Sequence, residues 1–197
     1  QGQGAQEIKD YTLWIKGALD ELKLSNPFVI GHSMGGAITM ELAIRFPALP
    51  KGLVLASTGA RLRTLPDILS GIKRAFPETV RMICESSFAQ DAPEELRRFA
   101  VVEMMKNPPH LLHGNFSACD RFDVMEQVQN IGSPTLVICG DQDILTPIKY
   151  SRFLADKIAG AHLEIVEKAG HMVMLEQPVE FNKKIEAFFG SVGSGDA

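Results

Sequence analysis

The chain has 197 residues, of which 45% are hydrophobic and 22% are charged, and its formal net charge at pH 7 is −4. This length and apolar fraction predict one folded domain and argue against extensive disorder. Acidic and basic residues are interspersed, which excludes the basic patch of a nucleic-acid-binding protein and favours a small-molecule partner.

The first quarter of the chain alternates helices with short apolar strands. Apolar residues recur every three or four positions from Glu7 to Leu24, which is typical of one face of a helix. The run Pro27 to Ile30 predicts a strand buried on both faces. A second helix is expected from Gly35 to Phe46, and a second buried strand from Gly52 to Ala56.

The same alternation returns in the last third of the chain. It predicts strands over Thr135 to Cys139 and Leu163 to Val166, and helices from Pro147 to Ile158 and from Pro178 to Phe189. Alternating helices and strands predict a parallel sheet covered by helices on both faces, so the fold class is α/β.

The region between these two parts contains helical patches interrupted by prolines and no convincing strand. We predict a core segment at 1–58, a helical cap at 59–131, a second core segment at 132–190 and a disordered tail at 191–197. Met104 and Leu112 are expected to line a substrate pocket under the cap, although packing within the cap's own core is the alternative for each.

The three cysteines, Cys84, Cys119 and Cys139, are too few and odd in number for a disulfide framework, so a reducing compartment is favoured. No segment has the apolar length of a membrane span, and no secretory signal opens the chain. The sequence therefore predicts a cytoplasmic protein and leaves its oligomeric state open. Because the first residue is Gln1 rather than Met, we expect the natural start to lie upstream.

The segment Gly31-His32-Ser33-Met34-Gly35 matches G-x-S-x-G between a predicted strand and a predicted helix. In this context the serine is a candidate nucleophile on a strained turn, and both glycines are expected to be needed to avoid collisions. The backbone N–H of Met34, at the helix start, is a candidate oxyanion donor. A phosphate-binding loop is disfavoured because no lysine follows the glycines.

A serine nucleophile needs a base and an acid that orients the base, and both follow later strands. His171 follows the strand that ends at Val166, and Asp141 and Asp143 follow the strand that ends at Cys139. The carboxyl ends of parallel strands meet at one edge of a sheet, so these residues are expected near Ser33. One of the two aspartates is expected to serve the turn instead.

The other histidines are weaker candidates. His32 is expected either to help shape the pocket or to serve in packing. His110 and His113, with Cys119 and Asp120 nearby, lack a second pair with ligand spacing, so we predict solvated cap residues and no metal site.

These residues resemble the α/β-hydrolase superfamily, and Gly31 to Gly36 is similar to its esterase and lipase branch. The resemblance extends to the strand and loop from Pro134 to Pro147, in which it implies Asp143 as the catalytic acid, and to Ala169-Gly170-His171 with the Glu176-Gln177-Pro178 that follows. It implies a serine hydrolase with the triad Ser33, Asp143 and His171 and without a cofactor.

The resemblance also implies that only the C-terminal half of the sheet and the cap are present here. Members of the superfamily have further strands and a helix before the first helix of this chain, and their second oxyanion donor lies there. Without that part, the strand from Phe28 to Ile30 is expected to be an exposed apolar edge.

The predicted activity is cleavage of a small-molecule carboxylic ester with an apolar acyl portion through an acyl-enzyme. An enol-lactonase or a carbon–carbon bond hydrolase with the same triad is the alternative within the enzymes. A ligand-binding or receptor protein on the same scaffold, with little turnover, is the alternative from another class.

Overall fold

The structure of the chain, a computed structural model, describes residues 4–194. The strands found within these residues form one parallel sheet in the sequential order β1-β2-β3-β4. They are β1 (Phe28–His32), β2 (Gly52–Ala56), β3 (Thr135–Gly140) and β4 (His162–Val166).

Helices connect and cover these strands. They are α1 (Ile8–Glu21), α2 (Met34–Arg45), α3 (Pro66–Arg74), α4 (Phe76–Ser86), α5 (Glu94–Met105), α6 (Pro109–Arg121), α7 (Ile148–Lys157), α8 (Val173–Glu176) and α9 (Pro178–Ser194), with a 3₁₀ turn at Val128–Asn130. The parallel α/β fold predicted from the alternation of elements is therefore confirmed.

The sheet separates two apolar layers. Leu53 and Leu55 of β2 pack into one layer, which includes residues of α1, α2 and α7. Val54 and Ala56 of the same strand pack into the other layer, against α9. Because successive strand residues point to opposite faces, a continuous apolar strand such as β2 needs helices on both sides of the sheet.

The candidate site lies at the carboxyl edge of this sheet. Since all the strands run parallel, the chain segments that follow β1, β3 and β4 leave from the same edge. Ser33 follows β1, Asp143 follows β3 and His171 follows β4. The topology thus places at one edge of the sheet three residues that are far apart in the sequence.

Helices α3 to α6 lie between β2 and β3 and pack on one another. Their own small core contains the buried side chains of Ile72, Val80, Cys84 and Leu112, with Met104 packed against it. An isolated antiparallel β-bridge pairs Arg61, before α3, with Asp123, after α6.

Two expectations about local structure were wrong. Ile30 of β1 is 51% exposed, so this strand is not buried on both faces; in the described sheet β1 is an edge strand that pairs with β2 alone. Helix α9 continues past Gly190 to Ser194 because Phe189 and Val192 still pack against the apolar layer of Phe188. Residues 195–197 of the predicted tail lie outside the described residues.

Across residues 4–194, we find no helix with both the length and the apolar character required to cross a bilayer. Cys84, Cys119 and Cys139 are all free thiols. Burial raises the pKa of Cys84 to about 11 and that of Cys119 to about 12, which keeps both thiols protonated at neutral pH.

Candidate active site

Ser33 lies at the turn between β1 and α2 with φ 53° and ψ −116°. This is a backbone region that residues other than glycine rarely occupy, and holding it costs about 1–3 kcal/mol. Neighbouring groups hold the turn: the Ser33 N–H donates to Ala56 O at 2.9 Å, and the Ser33 carbonyl accepts from Gly36 N–H and Thr58 Oγ1 at 2.9 and 2.8 Å. The serine is thus fixed in a strained position.

The two glycines that flank the turn have different reasons to be glycine. A Cβ atom at Gly31 would overlap Gly35 O and Thr39 Oγ1, which explains why no side chain fits there. A Cβ atom at Gly35 would meet no atom of the described residues within 4 Å, so the predicted collision at Gly35 itself is wrong for this part of the chain. It is Gly31 that lies close to the Gly35 backbone.

Helix α2 begins at Met34, directly after Ser33. The first N–H groups of a helix have no acceptor within the helix, and they carry the positive end of the helix dipole. The N–H of Met34 therefore has no acceptor within the helix and lies at the positive end of its dipole.

Asp143 is 4% exposed, and both oxygens of its carboxylate accept hydrogen bonds. Oδ1 accepts the N–H groups of Leu145 and Thr146, both at 2.9 Å, and Oδ2 accepts the Thr146 hydroxyl at 2.7 Å and His171 Nδ1 at 2.9 Å. Burial raises the pKa of Asp143, but the hydrogen bonds from His171 and Thr146 lower it more, so the net pKa lies below its ordinary value of 3.8. Asp143 is ionised at neutral pH.

His171 is 5% exposed and oriented by the same carboxylate. Because a carboxylate only accepts hydrogen bonds, Nδ1 carries the proton in the neutral imidazole and Nε2 has a free lone pair. Among residues 4–194, the hydrogen-bond partners of this side chain are Asp143 and Thr146, and Ser33 is not one of them. A hydrogen bond between a catalytic serine and its histidine is often long or poorly aligned without substrate, and it shortens when a substrate binds.

His32 lies against the candidate base. Its Nε2 donates to the backbone carbonyl of His171 at 2.9 Å, and the centroids of the two imidazole rings are 4.8 Å apart. Burial and then the neighbouring His171 lower the pKa of His32 to about 4. His32 is therefore neutral at pH 7 and supports the loop that carries His171.

The structure separates the two neighbouring aspartates. Asp141 is exposed, and its Oδ1 accepts the N–H of Ala169 at 3.3 Å, so it bridges to residues 169–172, the histidine loop that carries His171. Asp143, and not Asp141, makes the hydrogen bond to the residue two positions on that is typical of a turn. Asp143 thus makes the turn and also orients His171. The two roles that were expected of separate aspartates belong to one residue.

Met104 and Leu112, the predicted pocket residues, are both residues of the cap. Both pack in the core of the cap, where Leu112 is 7% exposed. A cavity of about 720 Å³ lies elsewhere on the cap and is lined in part by Lys73, His110 and His113, without Ser33, Asp143 or His171. The pocket role of Met104 and Leu112 stays a prediction.

Sequence reasoning missed Thr146, Glu176 and Gly140. A Cβ at Gly140 would overlap the carbonyl oxygens of Ala169 and Gly170, so this glycine lets the acid loop and the histidine loop meet. The Asp-x-x-Thr spacing of Asp143 and Thr146 is the available signal for the hydroxyl contact. Glu176 lies in the segment that carries the family resemblance but had no assigned role.

Within the described part of the chain, no group of three His, Cys, Asp or Glu side chains is placed to hold a metal ion. His113 Nδ1 lies instead 3.4 Å from the hydroxyl of Ser117 on the same helix.

A parallel sheet with a strained serine turn, and with an acid and a histidine after later strands, defines the α/β-hydrolase superfamily. The chain belongs to the family described as serine aminopeptidase, S33, whose model matches residues 4–178.

Similar proteins agree with this assignment. The solved structure of a thermophilic esterase is 38% identical, with a TM-score of 0.85 over 96% of this chain and 75% of its own. The 3-oxoadipate enol-lactonase 2 of Acinetobacter baylyi is 29% identical over 86% of this chain. The pimeloyl-[acyl-carrier protein] methyl ester esterase of Neisseria meningitidis serogroup B is 25% identical over 78% of this chain.

The chain spans 66% of the length of the enol-lactonase and 65% of that of the methyl ester esterase.

Proposed function

We propose that this chain carries the catalytic triad of a serine hydrolase, with Ser33 as nucleophile, His171 as base and Asp143 as the orienting acid. The observation that carries the proposal is the 2.9 Å hydrogen bond between His171 Nδ1 and the buried carboxylate of Asp143, together with the strained turn at Ser33, whose neighbour His32 contacts the His171 ring. Each residue follows a strand that ends at the same edge of the parallel sheet, which is where the sites of this fold lie.

In the proposed mechanism, Ser33 Oγ attacks the carbonyl carbon of an ester while His171 Nε2 takes the hydroxyl proton. The developing oxyanion accepts the N–H of Met34, and Asp143 stabilises the imidazolium through Nδ1–H. His171 then gives the proton to the leaving alcohol, and an acyl-enzyme remains on Ser33. Water, activated by the same imidazole, attacks the acyl group and returns the free serine.

A carboxylic ester is the proposed substrate class. Two of the similar proteins are named as esterases and the third as an enol-lactonase, whose substrate is a cyclic ester. The predicted preference for an apolar acyl group depends on Met104 and Leu112, which pack in the cap core, and it stays a prediction. We therefore define the substrate by the bond cleaved and leave the acyl length to measurement.

The experiment combines active-site labelling with turnover. A fluorophosphonate probe should label the whole protein once, at Ser33, and p-nitrophenyl esters from acetate to octanoate should be hydrolysed. Ser33→Ala should lose both signals, whereas Ser25→Ala, which changes an exposed serine before β1, should keep both. Labelling that persists in Ser33→Ala would remove Ser33 as the nucleophile.

The same assay separates the alternatives. Steady turnover of several simple esters argues against a receptor that keeps the triad without using it. The assay also includes an enol-lactone, a substrate cleaved at a carbon–carbon bond and an aminoacyl p-nitroanilide. If one of these is turned over far faster than the esters, the bond cleaved in that substrate would replace the ester bond in our proposal. We further propose a reducing, cytoplasmic location, which the three free cysteines support.

A further inference from the structure

The carboxylate of Glu176 joins two segments that are distant in the sequence. Its Oε1 accepts the N–H of Gly170, the residue before His171, at 2.9 Å. Its Oε2 accepts the N–H of Ala89, in the cap segment between α4 and α5, at 2.8 Å. One side chain of the last turn of α8 thus holds the histidine loop and the cap together.

Direct backbone contacts reinforce the same junction. The N–H of Met172, the residue after His171, donates to Ser87 O of the cap at 3.1 Å. A Cβ at Gly170 would lie 2.6 Å from Ala89 N, so the two backbones touch with no room for a side chain. Both neighbours of His171 are therefore fixed to the cap, one directly and the other through Glu176.

The cap side of the junction is itself held by Arg97 of α5. Its guanidinium donates to the carbonyl oxygens of Ala89, Gln90 and Ala92, and its Nε lies 3.4 Å from Glu85 Oε2. Arg97 and Glu176 thus bind opposite sides of the Ala89 peptide backbone, its carbonyl and its N–H. Neither side chain is a hydrogen-bond partner of Asp143 or of the His171 ring in the described residues.

We propose that Glu176 is a positioning residue that couples the orientation of His171 to the seating of the cap. The inference rests on the proposed role of His171 as the base. When the cap segment is in place, both carboxylate oxygens are used and the backbone around His171 is fixed on both sides. When the cap moves, Glu176 Oε2 loses the Ala89 N–H and the Met172 N–H loses Ser87 O, so both connections between the histidine loop and the cap are broken.

Glu176→Gln tests the first half of the coupling. The amide keeps one acceptor oxygen but places an NH₂ group opposite one of the two N–H donors, so one bond is lost. We expect kcat to fall about 10- to 100-fold, the range for a small misplacement of a catalytic group. KM should change little, since Glu176 lies in the loop support and not in contact with Ser33. Glu167→Gln, the same change at an exposed position before the loop, should leave kcat as it is.

Arg97→Gln tests the coupling from the cap, where no proposed catalytic residue is altered. It should lower kcat in the same direction, whereas Arg98→Gln, at an exposed position next to it on α5, should not. In a double-mutant cycle the effects of Arg97→Gln and Glu176→Gln on kcat should be less than additive, because both release the same backbone segment.

The outcomes are distinct. Wild-type protein that neither labels at Ser33 nor hydrolyses any ester ends the proposed function, and this inference falls with it. Active wild-type protein in which folded Glu176→Gln matches Glu167→Gln overturns the inference alone. If Glu176→Gln does not fold, the arginine pair decides, and an Arg97→Gln kcat equal to that of Arg98→Gln overturns it. Strictly additive effects in the cycle would also contradict the coupling.

Discussion

His171 Nδ1 lies 2.9 Å from Asp143 Oδ2, although the two residues are 28 positions apart in the chain. The same Oδ2 accepts the Thr146 hydroxyl, and Oδ1 accepts two backbone N–H groups. A carboxylate held in this way has no free rotation, so it fixes both the tautomer and the direction of the imidazole ring.

Asp143→Asn should lower turnover of the whole protein by several powers of ten. An asparagine can present a donor where His171 needs an acceptor, which favours the wrong imidazole tautomer; a loss of about 10⁴-fold is known for this swap in another serine hydrolase. Asp141→Asn should cost little because the asparagine oxygen can still accept the Ala169 N–H. Both variants are to be measured on one ester, and the reverse ranking would move the catalytic acid to Asp141.

The free energy of unfolding should decrease as the pH is lowered from about 6.5 to about 4, because of His32. Its pKa is lowered from 6.5 to about 4 by burial and by His171, so the folded state binds fewer protons than the unfolded state in this window. The contribution is complete above pH 6.5 and is lost as the pH falls towards 4. His32→Gln, which can still donate to the His171 carbonyl, should show a smaller fall in urea unfolding experiments. Equal pH slopes in the two proteins would contradict the assignment.

Gly140→Ala should destabilise the protein by about 1–3 kcal/mol or more, since its Cβ would overlap the carbonyl oxygens of Ala169 and Gly170. Gly17→Ala is the matched control, because Gly17 lies within α1 and its Cβ would meet nothing within 4 Å. There the change should stabilise the helix by about 0.5–1 kcal/mol. Urea midpoints measure both effects, and a Gly140→Ala midpoint at or above the wild-type value would refute the proposed close approach.

The 197-residue chain by itself should associate through the edge of β1. In the described sheet this strand pairs with β2 alone, and Ile30 is 51% exposed. Light scattering should show concentration-dependent association that Ile30→Lys reduces. Val179→Lys, at an 81% exposed position of α9, should reduce it less. A monomer that melts sharply, or equal effects of the two lysines, would contradict association through this edge.

The sequence alone determined the parallel α/β fold, the candidate serine and the candidate histidine, and it narrowed the candidate acid to Asp141 or Asp143. Strand patterns and the G-x-S-x-G turn are local, because they depend on the alternation of side chains and on backbone sterics over a few residues. The strained backbone at Ser33 follows from that local pattern, and the structure has it at φ 53°. Even the positions of Asp143 and His171 after later strands could be read from the order of elements.

Only the tertiary structure decided which side chains meet. Asp141 and Asp143 differ by two positions in one loop, and the geometry of the neighbouring histidine loop gives one the imidazole and the other the Ala169 N–H. The exposure of Ile30 and the packing of Leu112 likewise depend on what covers each residue. Glu176 reaches Ala89 across 87 positions of the chain because the cap folds back over the sheet edge. Such contacts arise from the packing of distant segments, and no local pattern in the sequence specifies them.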